Sequence, residues 1–154
     1  MRTAAALALA ALAVLTVASA ARAEESATTK DAELLVHHAV AFLKKEGKAK
    51  ALAAFSEPKG RFAYRDLYVM AYDMTGTCLA HGQTKERIGK NFMNEKDVDG
   101  KEFIKERFRI VKEHGKGWQD YKYTNPLTKK TEQKTAYFER VDDVVLVSGA
   151  YKRR

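Results

Sequence analysis

Apolar residues recur at Leu35, Ala39, Phe42 and Leu43 within residues 31–55, a one-sided stripe with the period of a helix. Gly47 interrupts the stripe, which resumes at Ala49, Leu52, Ala53 and Phe55. The stretch therefore predicts two helices or one kinked helix, ended by Pro58 and Gly60. From Asp66 the period shortens to that of a strand, and residues 67–72 are apolar on both alternate sets. A strand with no polar face must be covered on both sides. Asp73-Met74-Thr75-Gly76 predicts a turn, with residues 77–81 returning as the second strand of a hairpin. Residues 82–96 are polar around Gly89 and predict a long irregular loop, a feature that compact domains usually keep for function.

Asp99-Gly100-Lys101-Glu102 reads as a capping box that opens a helix, with Ile104, Phe108 and Val111 on its buried side and Gly115 and Gly117 ending it. Residues 118–124 and 134–141 predict two more strands around the turn-rich segment 125–132. Residues 144–151 predict a last strand that is again apolar on both alternate sets through Val147. The two strands without a polar face are thus the first and the last. Both belong at the centre of a sheet, which yields the order 2-1-5-4-3 in an α+β fold, with helices on one face and the long loops on the other.

The first residues change the picture of where this fold works. Met1-Arg2 is a short positive start, residues 4–18 are an almost unbroken apolar run, and Ala21-Arg22-Ala23 has the small-x-small pattern of a signal peptidase site. The expected cut follows Ala23, leaving a polar leader over residues 24–30 and one domain over 31–154 in the periplasm or outside the cell. The apolar run is shorter than the roughly 20 residues of a spanning helix, and no basic stop-transfer cluster follows it, so no stable membrane anchor is expected. The remaining length suits one hydrophobic core and not two. Removing Arg2 and Arg22 lowers the formal charge of +8 by two. The lysines alternate with acids and form no block, so a mixed solvated surface is expected and nucleic acid is not. Cys78 is the only cysteine. It excludes an intrachain disulfide and reads as a small buried hydrophobe.

Asp66-Leu67-Tyr68-Val69, Leu79-Ala80-His81, Gly89-Lys90-Asn91, Asp97-x-Asp99-Gly100-Lys101, Gly117-Trp118-x-x-Tyr121, Asn125-Pro126, Lys134-x-x-Tyr137 and Ser148-Gly149-x-Tyr151 follow one another in a recognisable order and spacing. In that series the chain resembles the single Cache domain of type 2, from about Asp31 to Lys152. The resemblance implies a PAS-like five-stranded antiparallel sheet, a long N-terminal helix and a small-ligand pocket between the sheet and the loops of one face. It also implies an extracytoplasmic sensor module, of a kind that often binds small carboxylates in chemoreceptors and histidine kinases. This chain differs in reading as free-standing, with no signalling segment after Arg154, and in placing Gly82 after His81 where the family often has proline.

The candidate site residues are Tyr68, His81, Trp118, Tyr121, Lys134 and Tyr137. Lys134 begins a strand among apolar and aromatic neighbours, where it either pairs with a ligand carboxylate or turns outward to water. His81 stands where the hairpin meets the long loop, as a donor to the same carboxylate or as a satisfied structural histidine. Tyr68, Trp118, Tyr121 and Tyr137 offer rigid walls with polar tips, although aromatics at strand spacing also serve as core. Glu95, Asp97, Asp99 and Glu106 imitate a calcium loop imperfectly, and the helix cap accounts for Asp99, so no metal is expected. His37 and His38 lack a third ligand and read as surface. No nucleophile elbow, phosphate loop or zinc motif is present, so neither an enzyme nor a cofactor is expected. The expectation is a periplasmic protein that captures a small organic acid, a monocarboxylate above all, with a membrane receptor or transporter as its candidate partner. The alternative is an interaction module with a vestigial pocket.

Overall fold

Thr28 and Asp31 start the first helix by satisfying each other's backbone donors. The Thr28 hydroxyl accepts from Asp31 N at 3.1 Å, and the Asp31 carboxylate accepts from Thr28 N at 2.8 Å. This reciprocal cap sets the start of α1, Thr29–Glu46, in a computed structural model that describes residues 26–152. The expected signal peptide and its cut after Ala23 lie outside the described residues. Gly47, at φ 82°, breaks the helix where the stripe lapsed, and α2, Lys48–Phe55, continues it. Ala32, Leu35, Val36, Ala39, Val40 and Leu43 form the buried stripe of α1.

The expected strand 67–72 is broken at Val69. Its first part, β2 (Leu67–Tyr68), pairs with β1 (Ala63–Tyr64) in a two-residue hairpin that the sequence did not announce. Its second part, β3 (Met70–Asp73), enters the main sheet beside β4 (Cys78–His81). The turn between them is held by Asp73, whose Oδ1 accepts from the backbone N–H groups of Thr75 and Thr77 at 2.9 and 3.0 Å. After a 3-10 turn at Lys85–Arg87 come α3 (Phe103–His114), β5 (Lys116–Thr124), β6 (Thr131–Val141) and β7 (Val144–Tyr151).

The five-stranded sheet is antiparallel in the order β4-β3-β7-β6-β5, which is the expected 2-1-5-4-3. Every residue of β7 is buried, as its doubly apolar pattern required of a central strand. One face carries Val69, Ala71, Leu146 and Ala150 against α1 and α2. The other carries Tyr68, Met70, Tyr72, Phe138, Val145 and Val147 against Phe103, Ile104, Phe108 and Val111 of α3. Helices therefore lie on both faces, and the loop 82–96 shares the second face with α3.

Two expectations about α3 are corrected. The helix begins at Phe103, and its N-cap residue Glu102 makes no capping hydrogen bond. The carboxylate that organises this turn is Asp97, which accepts from the backbone N–H groups of Asp99, Lys101 and Lys122 at 2.9, 2.9 and 3.0 Å. At the other end, Gly115 in the left-handed region terminates α3, but Gly117 belongs to β5. A side chain there would come within 2.7 Å of Ile110 Cγ2.

Gly149 has a similar steric duty at the sheet centre. It pairs with Ala136 across β6, and a Cβ in its place would lie 2.9 Å from both Ala136 Cβ and Lys134 Cε. The missing side chain makes room for the aliphatic stem of Lys134. Gly149→Ala is expected to lower stability by about 1–3 kcal/mol through overpacking, read as an earlier urea midpoint with an unchanged slope.

Candidate ligand site

Sheet register places Tyr121, Lys134 and Tyr151 side by side on β5, β6 and β7. Lys134 is the fourth residue of β6, and only 1% of it is exposed. Its Nζ donates to Tyr68 Oη at 3.2 Å and to Tyr151 Oη at 3.5 Å, and it lies 4.7 Å from the centroid of each ring. Among the described residues no carboxylate lies within ion-pair distance of it. Ring quadrupoles and phenolic oxygens soften the loss of water but carry no counter-charge. Burial, with Arg107 and Arg87 nearby, pulls the Lys134 pKa from 10.5 down to about 7, against a smaller opposing pull from Asp66.

Arg107 is the second cation of this face. It sits on α3 between Ile104 and Phe108, 1% exposed, with its guanidinium 5.5 Å from the Tyr121 ring and 5.6 Å from the Phe138 ring. Its Nε and Nη2 meet no acceptor among the described residues. A third cation, Arg87, is neutralised. Its guanidinium donates to both oxygens of Glu95 at 3.0 and 2.6 Å and to Tyr123 Oη at 2.8 Å, and it stacks 3.6 Å from the centroid of Phe92. Burial alone would lower its pKa; the Glu95 carboxylate overrides this and raises it. Arg87 thereby ties the loop 82–96 to β5.

His81 is buried beside Tyr68, with ring centroids 5.0 Å apart. Its Nδ1 accepts from the backbone N–H groups of Gln83 and Thr84 at 3.2 and 2.9 Å, which leaves the ring proton on Nε2 as a donor. Burial and then Lys134 push its pKa from 6.5 down to about 3, so the ring is neutral over the physiological range. The structural and the donor reading of His81 are compatible, because different nitrogens serve them.

Lys134, His81, Tyr121, Tyr123, Arg87 and Glu95 meet around a cavity of about 10 Å3, enough for roughly one water. Tyr68 adjoins it through Lys134. Trp118 and Tyr137 do not. Each stands three residues along its strand from Tyr121 or Lys134, and alternation sends it to the opposite face, where the two pair across β5 and β6 with rings 5.0 Å apart. Trp118 is 41% exposed there, and His37 lies 3.3 Å from the Tyr137 hydroxyl. The sequence reading missed Arg107, Arg87, Tyr123 and Tyr151.

A larger concavity, about 840 Å3, opens over the strand ends beside Val98, Lys122, Lys130 and Lys152. Lys122 and Lys152 pair there with Asp99 at 2.8 Å and Asp120 at 3.7 Å. The acids that imitated a calcium loop are dispersed: Glu95 holds Arg87, Asp97 the turn, Asp99 Lys122, and Glu106 Lys101 and Gln119. Among the described residues no three metal-binding side chains converge.

The depressed Lys134 pKa fixes the sign of a pH effect. Between about pH 7 and 10.5 the unfolded chain holds a proton that the folded chain has released, so stability rises with pH across that window; below it the full cost of burying the ammonium applies. Lys134→Met keeps the stem and removes the charge. The variant is expected to melt several degrees above the wild type at pH 6, with the gap closing toward pH 10, in thermal unfolding followed by circular dichroism.

The comparisons with known proteins agree with this architecture. A methyl-accepting chemotaxis protein from Vibrio parahaemolyticus superposes with a TM-score of 0.68 at 23% identity, covering 79% of this chain and 86% of that one. The periplasmic sensor domain of a chemotaxis protein superposes at 0.63 and 23% identity over 81% and 90% of the two chains. A Cache chemosensory domain solved for its recognition of carboxylic acids superposes at 0.63 and 20% identity over 81% and 88%. No curated protein matches the chain. The profile of the family Single Cache domain 2 matches residues 7–153, nearly the whole sequence, and the chain belongs to that family.

Proposed function

We propose that the chain captures a small organic acid outside the cytoplasm, with the carboxylate held by Lys134 and the His81 Nε2–H. The observation that carries this reading is a fully buried lysine with no carboxylate in ion-pair distance among the described residues, beside an arginine with two unmatched nitrogens. An anionic guest supplies the missing charge, and hydrogen bonds to a charged group contribute about 1.5–3 kcal/mol each. Tyr68 and Tyr121 enclose the rest of a monocarboxylate of about two to six carbons. Carboxylic acid recognition by a similarly folded Cache domain supports the ligand class. Release into the periplasm after cleavage following Ala23, as one domain over residues 31–154, and delivery to a membrane receptor or transporter complete the proposal. Among the described residues no helix is long and apolar enough to cross a membrane.

The cavity of about 10 Å3 is smaller than any such guest. Entry therefore requires the loop 82–96 to move; Arg87 ties it to Tyr123 of β5, and backbone hydrogen bonds of Lys90, Gly89 and Phe92 to Cys78 and Gly76 tie it to the β3–β4 hairpin. That tightness is also the observation that favours the alternative, an interaction module whose pocket is vestigial. Calorimetry with propionate, butyrate and longer monocarboxylates separates the two. Saturable binding is expected for the wild type, weakened about tenfold to a hundredfold in Lys134→Met. Because the guest needs the ammonium form, its Kd is expected to rise by up to about tenfold per pH unit above pH 7. Absence of binding across the series would leave the interaction module as the better account.

A further inference from the structure

The wall of the cavity holds an amine as well as a charge. Lys134 Nζ touches only the Tyr68 and Tyr151 hydroxyls, at 3.2 and 3.5 Å, and no carboxylate among the described residues keeps it protonated. A desolvated lysine facing other cations is a nucleophile at neutral pH, unlike a lysine in water. Arg107 is such a cation and disfavours a proton on Nζ; Asp66 pulls the other way, more weakly than burial and Arg107.

We propose that Lys134 also captures small 2-oxo acids covalently, as a reversible imine between Nζ and the ligand's carbonyl carbon. This rests on the pocket reading above. The neutral amine adds to the carbonyl carbon, the carbonyl oxygen takes up a proton from solvent, and the resulting hydroxyl takes one of the two amine protons and leaves as water while C=N forms, the other proton staying on the imine nitrogen. One water is released and no oxidant or reductant is consumed. Tyr68 and Tyr151, held as neutral phenols by burial, stand within hydrogen-bond distance of Nζ to pass the amine's proton to the departing hydroxyl. The protonated imine is again a buried cation, and the ligand's own carboxylate, one bond away, supplies its counter-ion. That requirement selects the class. A plain carboxylic acid lacks the carbonyl, and a simple aldehyde lacks the anion.

The test incubates the protein with pyruvate, reduces it with cyanoborohydride, and locates the adduct by peptide mass mapping, beside calorimetry with pyruvate and propionate. One adduct is expected, on the peptide carrying Lys134, suppressed by excess propionate and absent from Lys134→Met. Pyruvate or propionate that binds in calorimetry with no trapped adduct on Lys134 overturns the imine and leaves carboxylate capture standing. Labelling spread over surface lysines, with Lys134 no more modified than they are, overturns it as well. If neither acid binds and no adduct forms, both readings fall together.

Discussion

A lysine amine inside an aromatic layer, with phenols for neighbours and no carboxylate within ion-pair distance among the described residues, is the constraint on which the rest of this molecule depends. Lys134 cannot relax toward solvent, because β6 lies between β5 and β7 and its register is fixed on both sides. Gly149 clears the volume for the lysine stem, and Tyr151 occupies the position directly across. The fold thus enforces a desolvation cost that a flexible surface lysine would escape. Sites that bind are where proteins keep such unfavourable groups, since a ligand can repay what the free protein loses.

The two faces of the sheet divide the work. Against α1 and α2 the contacts are almost wholly apolar, from Leu35 and Val36 to Leu146 and Ala150, and this half supplies stability. Against α3 and the loop 82–96 the same sheet carries tyrosines and a lysine, and α3 and the loop each contribute an arginine. Polar groups there are satisfied unevenly: Arg87 has a carboxylate partner in Glu95 and leaves only Nε unmatched, whereas Arg107 leaves Nε and Nη2 unmatched and has no ion pair among the described residues. The paired cation fastens the loop and the unpaired ones face the interior.

Much of the fold was legible in the sequence because sheet position follows from simple burial. Two strands apolar on both alternate sets had to be central, and the strand order followed. The same rule, applied to side chains, would have excluded two of the proposed site residues. Trp118 and Tyr121, like Lys134 and Tyr137, are three apart in a strand and must face opposite ways, whereas Tyr123, two beyond Tyr121, shares its face. Arg107 was equally visible, since it fills the core-facing register between Ile104 and Phe108 where a hydrophobe is the usual choice. Arg87 and Glu95 were not. Their pairing depends on how an irregular loop folds back on itself, and no periodicity encodes that. The cap misassigned to Asp99 is different: Asp97 closes its turn locally on the N–H groups of Asp99 and Lys101, a signal the sequence did carry, and only its bond to Lys122, 25 residues away, was hidden.

The state of the Lys134 amine is the most direct measure of this account. A carbon-13 NMR titration of the lysine Cε resonances, with Lys134 assigned by its Met variant, reads that state without reference to any ligand. The account predicts a midpoint near pH 7 in the free protein, displaced upward when a carboxylate is bound. A Lys134 that titrates with the other lysines near 10.5 in the free protein would contradict it.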